Sequence, residues 1–213
     1  MHCLSAKEQE VTDWYDQNAS LWSEKRREKS KPSFWDQEYR EFEKLFPKRG
    51  KILPPGRVRK VLEIGSGSGR EAIEWIRMGY EYHGIDLSRN LIEIARQTEP
   101  KGHYSHTSLY ELAFPPHTFD AFSSWALLSH IPKERMGVVL AAIRRVVKRG
   151  AIGFIAMREG EGEKREEETG RWFSYYTQAE FSKVLEGGGF EILQMGKRRS
   201  RKDLTWLIFF VKK

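Results

Sequence analysis

The chain is predicted to adopt an α/β fold, a doubly wound, mostly parallel sheet closed by an antiparallel C-terminal hairpin. Three observations carry this. Short apolar runs alternate with helix-like periods from Val58 onward, the pattern of strands crossed over by helices. The first run ends in the glycine-dense turn Gly65-Ser66-Gly67-Ser68-Gly69, before a helix-like stretch. The last two runs are separated only by Gly196–Asp203, too short for a helical crossover, so they should pair antiparallel.

The elements follow in order. Before the sheet, residues 1–57 form a polar and aromatic region. Val11, Trp14, Tyr15, Leu21 and Trp22 suit one amphipathic helix, and Phe34, Trp35, Phe42, Leu45 and Phe46 a second that stops at Pro47. The stretch from Gly50 to Arg57, with Pro54-Pro55-Gly56, reads as the connection into the core. Val58–Ile64 is a strand and Arg70–Met78 a helix stopped by Gly79. Tyr80–Ile85 is a strand ending at Asp86, and Ser88 opens a helix through Gln97. His103–His106 and Phe119–Ser124 are strands. Lys133–Lys148 is a helix with Met136, Val139, Leu140, Ile143, Val146 and Val147 on one face, and Ala151–Met157 a strand. Thr177 with Glu180 forms a capping box for a helix ended by Gly187-Gly188-Gly189. Phe190–Met195 and Leu204–Val211 are the final strands. The last is apolar on both faces, which places it inside the sheet. Two charged segments interrupt the pattern. Arg158–Arg171 has no apolar residue except glycine and reads as a mobile loop. Lys197-Arg198-Arg199-Ser200-Arg201-Lys202 fills the terminal hairpin turn.

At 213 residues, one domain is expected, with residues 1–57 as a helical cap and 58–213 as the core. The net charge of +7, from 37 basic and 30 acidic residues, permits an anionic partner without requiring one. Cys3 is the single cysteine, so no disulfide framework or cysteine-based zinc site can form. His103 and His106 share a short strand with no third ligand spaced for metal, so no metal is expected. No apolar run reaches membrane-spanning length, which suits a soluble, cytoplasmic protein without a membrane partner.

The chemistry concentrates at the carboxyl ends of the strands, where open α/β sheets bind ligands. Glycines at 65, 67 and 69 let a ligand approach the backbone. Their spacing is not that of the dinucleotide fingerprint, and the strand-terminal carboxylate of Glu63 suits a cofactor carrying an ammonium group rather than a pyrophosphate. Asp86, 21 residues after Gly65, can accept from ribose hydroxyls, and Leu87 can flank a purine. Ser108-Leu109 and Ser124-Trp125 follow the third and fourth strands.

These motifs resemble those of the class I S-adenosylmethionine-dependent methyltransferases. Val61–Gly69 is similar to the family's first motif, Gly84-Ile85-Asp86-Leu87-Ser88 to its second, and Phe119–Phe122 through His130-Ile131-Pro132 to its fourth-strand segment. Trp172–Thr177 with Gly189-Phe190-Glu191 resembles the late segment of small members. The resemblance covers about Val58 to Lys213. It implies a Rossmann-like, seven-stranded sheet and S-adenosyl-L-methionine as cofactor. Gly65 and Gly67 would line its methionine part, Glu63 would face its ammonium, Asp86 would hold the ribose and Leu87 would flank adenine. Ser124 or Trp125 would offer a carbonyl. Many relatives carry Asp where this chain has Ser108, so adenine would be read by Ser108 or by the Leu109 backbone.

Methyl transfer is an in-line displacement in which the protein chiefly positions the acceptor. His130 is the candidate base. Tyr15, Trp22, Trp35, Arg158, Tyr175 and Tyr176 are candidates for acceptor contact. Ser123-Ser124-Trp125-Ala126 lacks the Asn/Asp-Pro-Pro pattern of adenine-N6 and glutamine methyltransferases. A small-molecule acceptor is the leading expectation. The basic turn keeps a tRNA acceptor open, and a non-enzymatic cofactor-binding partner or sensor is the third reading. Nothing in the sequence sets an oligomeric state.

Overall fold

The computed structural model describes residues 4–27, 35–46, 57–200 and 204–213. Cys3, Phe34, Pro47, the 50–56 part of the connection and the 201–203 part of the basic segment lie outside the described residues. Three helices come first, α1 (Ala6–Gln17), α2 (Ala19–Arg27) and α3 (Asp36–Leu45). Then come β1 (Lys60–Ile64), α4 (Ala72–Arg77), β2 (Glu81–Asp86), α5 (Arg89–Thr98), β3 (His103–His106), β4 (Phe119–Trp125), α6 (Met136–Val146) and β5 (Val147–Arg158). The chain closes with β6 (Glu163–Arg165), β7 (Trp172–Ser174), α7 (Gln178–Gly187), β8 (Glu191–Arg199) and β9 (Thr205–Lys212).

Seven strands form one sheet in the order β3-β2-β1-β4-β5-β9-β8. The first five run parallel, and β9 is antiparallel to both β5 and β8. The expected terminal hairpin and the interior place of the last strand are both present. β9 is apolar on both sides because Leu207, Phe209 and Val211 face one core layer while Ile208 and Phe210 face the other. The chain winds outward from β1 in one direction and from β4 in the other, so the switch point, and the crevice it creates, lies beyond their carboxyl ends.

α6 shows how the layers hold. Met136, Val139, Leu140, Ile143 and Val146 are all buried, each worth roughly 1.5–3 kcal/mol, which stabilises an 11-residue helix that alone would be marginal. On the opposite layer Trp75, Tyr39 and Phe42 interlock edge to face over β1 and β4.

Four local expectations are corrected. The amphipathic N-terminal stretch is two helices, because Asn18 turns its side-chain amide and its backbone N–H onto the Trp14 carbonyl, at 2.8 and 3.0 Å, and ends α1. α1 starts earlier than its apolar residues suggest, at a reciprocal capping box between Ser5 and Glu8. Lys197, Arg198 and Arg199 belong to strand β8, paired with β9, rather than to the turn. The charged segment 158–171 is not an open loop. β6 pairs antiparallel with β7, and Arg171 is only 4% exposed. No helix among the described residues is long and apolar enough to cross a membrane.

Candidate active site

The loop after β1 is pinned by two backbone bonds, Gly65 N–H and Ser66 N–H both donating to the Ile85 carbonyl at 2.9 Å. Gly65 and Gly67 have φ of +77° and +52°, in the left-handed region that favours glycine. Their surroundings differ. A Cβ at Gly65 would meet Leu127 at 2.6 Å, whereas one at Gly67 would meet nothing within 4 Å. The loop therefore turns Gly65 against the protein and Gly67 toward open space in the cleft. Gly69 does not line the cleft; it packs against Ala95 and the Tyr104 hydroxyl, so its role is close packing of loop on helix.

Asp86 ends β2 beside Gly67. Its Oδ2 accepts from Gly67 N–H and its Oδ1 from Ser88 N–H, both at 2.9 Å. Burial pushes this carboxyl above its ordinary value, against the backbone donors that favour its charge. With backbone donors from Gly67, Ser88 and Leu87, the carboxylate still keeps accepting capacity for a hydroxyl donor. Glu63 is buried at the floor of the cleft and its Oε2 accepts from the Tyr82 hydroxyl at 2.6 Å. Leu87, Ser108, Leu109 and Trp125 also line the cleft, joined by Thr107. Ser124 lies fully buried beneath it and does not line it. Two buried polar atoms of cleft residues, Ser66 Oγ and Trp125 Nε1, have no protein partner. Open space at Gly67 beside a hydroxyl-accepting carboxylate fits an adenosyl amino acid.

The other half of the cleft is built by α1, α2 and the β6–β7 hairpin. Val11, Thr12, Tyr15 and Trp22 come from the helices, Arg171 and Phe173 from the hairpin, and Arg158 from the end of β5. α1 is docked by polar contacts along its length. Glu8 accepts from Tyr110 at 2.5 Å and pairs with Arg135, and Asp16 accepts from Ser88 Oγ at 2.7 Å and from Asn90 N–H at 2.9 Å.

His130 is buried between them. Its Nδ1 lies 2.8 Å from the Trp172 carbonyl, so Nδ1 carries the proton and Nε2 the lone pair. Nε2 stands 3.1 Å from the Tyr15 hydroxyl, which also accepts from Arg171 at 2.6 Å. The left-handed Ala126, φ +84°, lets the chain fold back after β4 to present this histidine. Burial, reinforced by Arg171 and Arg158, drives the imidazole down to about 3 despite the Trp172 bond. It is thus neutral across the physiological range.

Glu166 bridges the two arginines, accepting from Arg158 at 2.6 Å and from Arg171 at 2.9 Å. Burial opposes its charge, but bonds from Thr169, Arg158 and Arg171 prevail and hold it at about 2. Arg171 also lies over Trp14 at 4.4 Å, and Arg158 over Phe173 at 4.0 Å. These contacts are what folds a segment without an aliphatic anchor.

Of the acceptor candidates, Tyr15, Trp22 and Arg158 reach the cleft with His130. Trp35, Tyr175 and Tyr176 do not. Trp35 packs on Trp125, Phe154 and Trp206 in the core, and Tyr176 on Phe181. Tyr175 leans on Gly160 and Phe173 at the hairpin's base. Reasoning from sequence missed Arg171, Phe173, Glu8 and Trp206, all cleft residues. Only Glu8 carried a readable signal, the spacing Ser5-x-x-Glu8. The basic segment is partly neutralised, since Lys197 pairs with Glu159 and Arg198 with Glu38.

A parallel doubly wound sheet with one antiparallel strand inserted beside β5, and a glycine loop facing a carboxylate across the switch point, defines the class I S-adenosylmethionine-dependent methyltransferase fold. Residues 61–150 match the family model described as a methyltransferase domain. Among curated relatives, the chain is 33% identical over 97 residues to a ubiquinone biosynthesis O-methyltransferase of Alkalilimnicola ehrlichii, covering 43% of this chain and 38% of that one. It is 31% identical over 134 residues to the protein of the same name from Paracidovorax citrulli, covering 58% and 56%. The chain thus matches about two fifths to just over half the length of these relatives. Among solved structures, the 1,6-didemethyltoxoflavin-N1-methyltransferase of Burkholderia thailandensis, with bound 1,6-didemethyltoxoflavin and S-adenosylhomocysteine, superposes with a TM-score of 0.77 at 16% identity. That alignment covers 100% of this chain and 92% of the other.

Proposed function

We propose that the protein is an S-adenosyl-L-methionine-dependent methyltransferase acting on a small-molecule acceptor with an acidic group. One observation supports this most. The glycine-loop half and the Tyr15–His130–Arg171 half form a single cleft, roofed by α1 and α2. Residues 1–57 are then the acceptor cover of one domain with the 58–213 core. Gly65, Gly67, Glu63, Asp86, Leu87, Ser108, Leu109 and Trp125 would hold the cofactor, which supplies an electrophilic methyl group when bound.

The chain's own residues position and exclude water. Around the acceptor half stand three guanidiniums, Arg135, Arg158 and Arg171, against two carboxylates, Glu8, which pairs with Arg135, and Glu166, which bridges the other two. That excess favours an acceptor carrying negative charge. His130, with its imidazole at about 3, drives little proton removal. Its Nε2 instead fixes the Tyr15 proton, so that Tyr15 presents a defined hydroxyl to the cleft. The curated relatives are named as O-methyltransferases and the solved structure as an N-methyltransferase of a small heterocycle. Both support a small acceptor.

The test is transfer of tritiated methyl from labelled cofactor into a fractionated cell extract, before and after nuclease treatment. Label is expected in the small-molecule fraction, insensitive to nuclease. Nuclease-sensitive label would replace this reading with the RNA acceptor. Cofactor binding by calorimetry without any transfer would favour the partner or sensor reading.

A further inference from the structure

We propose a divalent transition-metal site at Glu81, His83 and His103, at the end of the sheet opposite the cofactor cleft. Zinc or a neighbouring ion of the same preference, cobalt or nickel, is the ligand class. His83 and His103 are partners in register across β2 and β3, so their side chains rise side by side from one face. Their rings stack with centroids 4.8 Å apart. Glu81 lies two residues before His83 and therefore on the same face. One ligand atom from each of the three lies within 4.8 Å of the others, and Glu81 Oε1 is already 2.8 Å from His83 Nε2. Ligands of a tetrahedral zinc stand about 3.3 Å apart, given bonds of about 2.0–2.1 Å. The Glu81–His83 contact has to open by about 0.5 Å and the remaining separations, at most 4.8 Å, have to close, with His103, the exposed member, the freest to move.

His106, the other histidine of β3, is engaged elsewhere, with the Leu87 carbonyl at 2.9 Å. The absence of a third ligand near His103, expected from the sequence, is corrected by His83 and Glu81, which arrive from the neighbouring strand. The site is also built rather than incidental. Phe114 and Phe119 pack edge-on against the His83 ring and hold it in place. Two imidazoles and a carboxylate form the donor set of borderline divalent ions, with a fourth position left for water.

Lys60 now supplies the counter-charge, its Nζ 2.7 Å from Glu81 Oε1. A bound cation would take over that role and release the lysine, whose side chain is 39% exposed and can swing to solvent. The metal would tie the four-residue edge strand β3 to β2. It lies away from Asp86, at the other end of β2, so its role is to brace the sheet edge and not to react.

The experiment is titration of tag-free, full-length protein with cobalt(II), read by visible absorption and then by displacement with zinc. One equivalent of four-coordinate cobalt is expected, with a rise in the thermal midpoint of the protein. His83→Gln and His103→Gln should each weaken binding by at least about tenfold, since even supporting groups around a metal are worth that much. Lys60→Met should tighten it. Circular dichroism confirms that each variant is folded, and His103→Gln, at an exposed strand start, tests the site if His83→Gln does not fold. Absence of saturable binding at protein-stoichiometric cobalt, or binding that survives both histidine substitutions, overturns the proposal.

Discussion

Replacing His130 with glutamine should remove a specific pH dependence of stability. The imidazole is held at about 3 in the folded protein, against an ordinary 6.5. A base with a lowered folded value takes up its proton more readily when unfolded. Its contribution to stability is therefore complete above pH 6.5 and is lost progressively as pH falls toward 3. Between pH 7.5 and 5.5 the unfolded chain gains most of one proton at this residue and the folded chain none. Integrating the linkage over that window gives a loss of about 1.4 kcal/mol. Glu166, held at about 2, titrates below the window, and all groups shared by the two proteins cancel in the difference. Glutamine keeps a donor for the Trp172 carbonyl but cannot be protonated. Urea unfolding of both proteins at pH 7.5, 6.5 and 5.5 provides the test. The wild type should lose about 1.4 kcal/mol more than His130→Gln across the series. Parallel curves for the two proteins would show that His130 titrates normally and that its burial does not control its charge.

The other expectations concern the glycine loop, the Asp86 carboxylate and the hairpin. Asp86→Ala should weaken S-adenosylhomocysteine binding about 10- to 100-fold by calorimetry, the loss of a charged hydrogen-bond acceptor; unchanged affinity in a folded variant would reject the assignment. Gly65→Ala should destabilise the fold by about 1–3 kcal/mol in urea, because its Cβ meets Leu127 at 2.6 Å as well as adopting a strained φ. Gly67→Ala should cost only the backbone strain, about 1 kcal/mol, while abolishing cofactor binding; equal stability losses for the pair would contradict the difference in their surroundings. Arg171→Leu, which leaves Glu166 with Arg158 as its remaining guanidinium and removes the Tyr15 donor, should speed limited proteolysis within residues 158–171, and an unchanged cleavage rate would mean that the hairpin is held by other contacts.

Most of the sheet was legible because its signals are local. Val61, Leu62 and Ile64 are wholly buried, and their apolar side chains on both faces, broken only by Glu63, suit a central parallel strand. The face of α6 can be read at helical spacing, and Thr177 caps α7 with its hydroxyl as the Thr-x-x-Glu spacing implies, although the Glu180 carboxylate takes Lys133 rather than closing the box. Errors arose where a short-range rule competed with a distant partner. Composition alone places the basic run at 197–199 in a turn, but register with Thr205, Trp206 and Leu207 makes it strand. The segment 158–171 reads as open from its lack of apolar residues. Its stability comes instead from a carboxylate between two guanidiniums and from stacking of Arg171 on Trp14.

The glycine-loop half and the Tyr15–His130–Arg171 half of the cleft differ in legibility for the same reason. Gly67 and Asp86 are 19 residues apart, joined by a single strand–helix–strand unit whose geometry is set by the fold. The second half is held together by Glu8 with Tyr110, 102 residues away, Tyr15 with His130, 115 away, and Arg171 with Tyr15, 156 away. No spacing rule reaches across such distances, because loop closure over that many residues constrains neither partner's identity. Each of these pairs places a residue of α1 against a different part of the core. A change in the N-terminal helix can therefore reshape this second half without touching the glycine loop, Glu63 or Asp86. That division explains why the glycine-loop half can be read from short stretches, while the Tyr15–His130–Arg171 half depends on contacts that form only once the whole chain has folded.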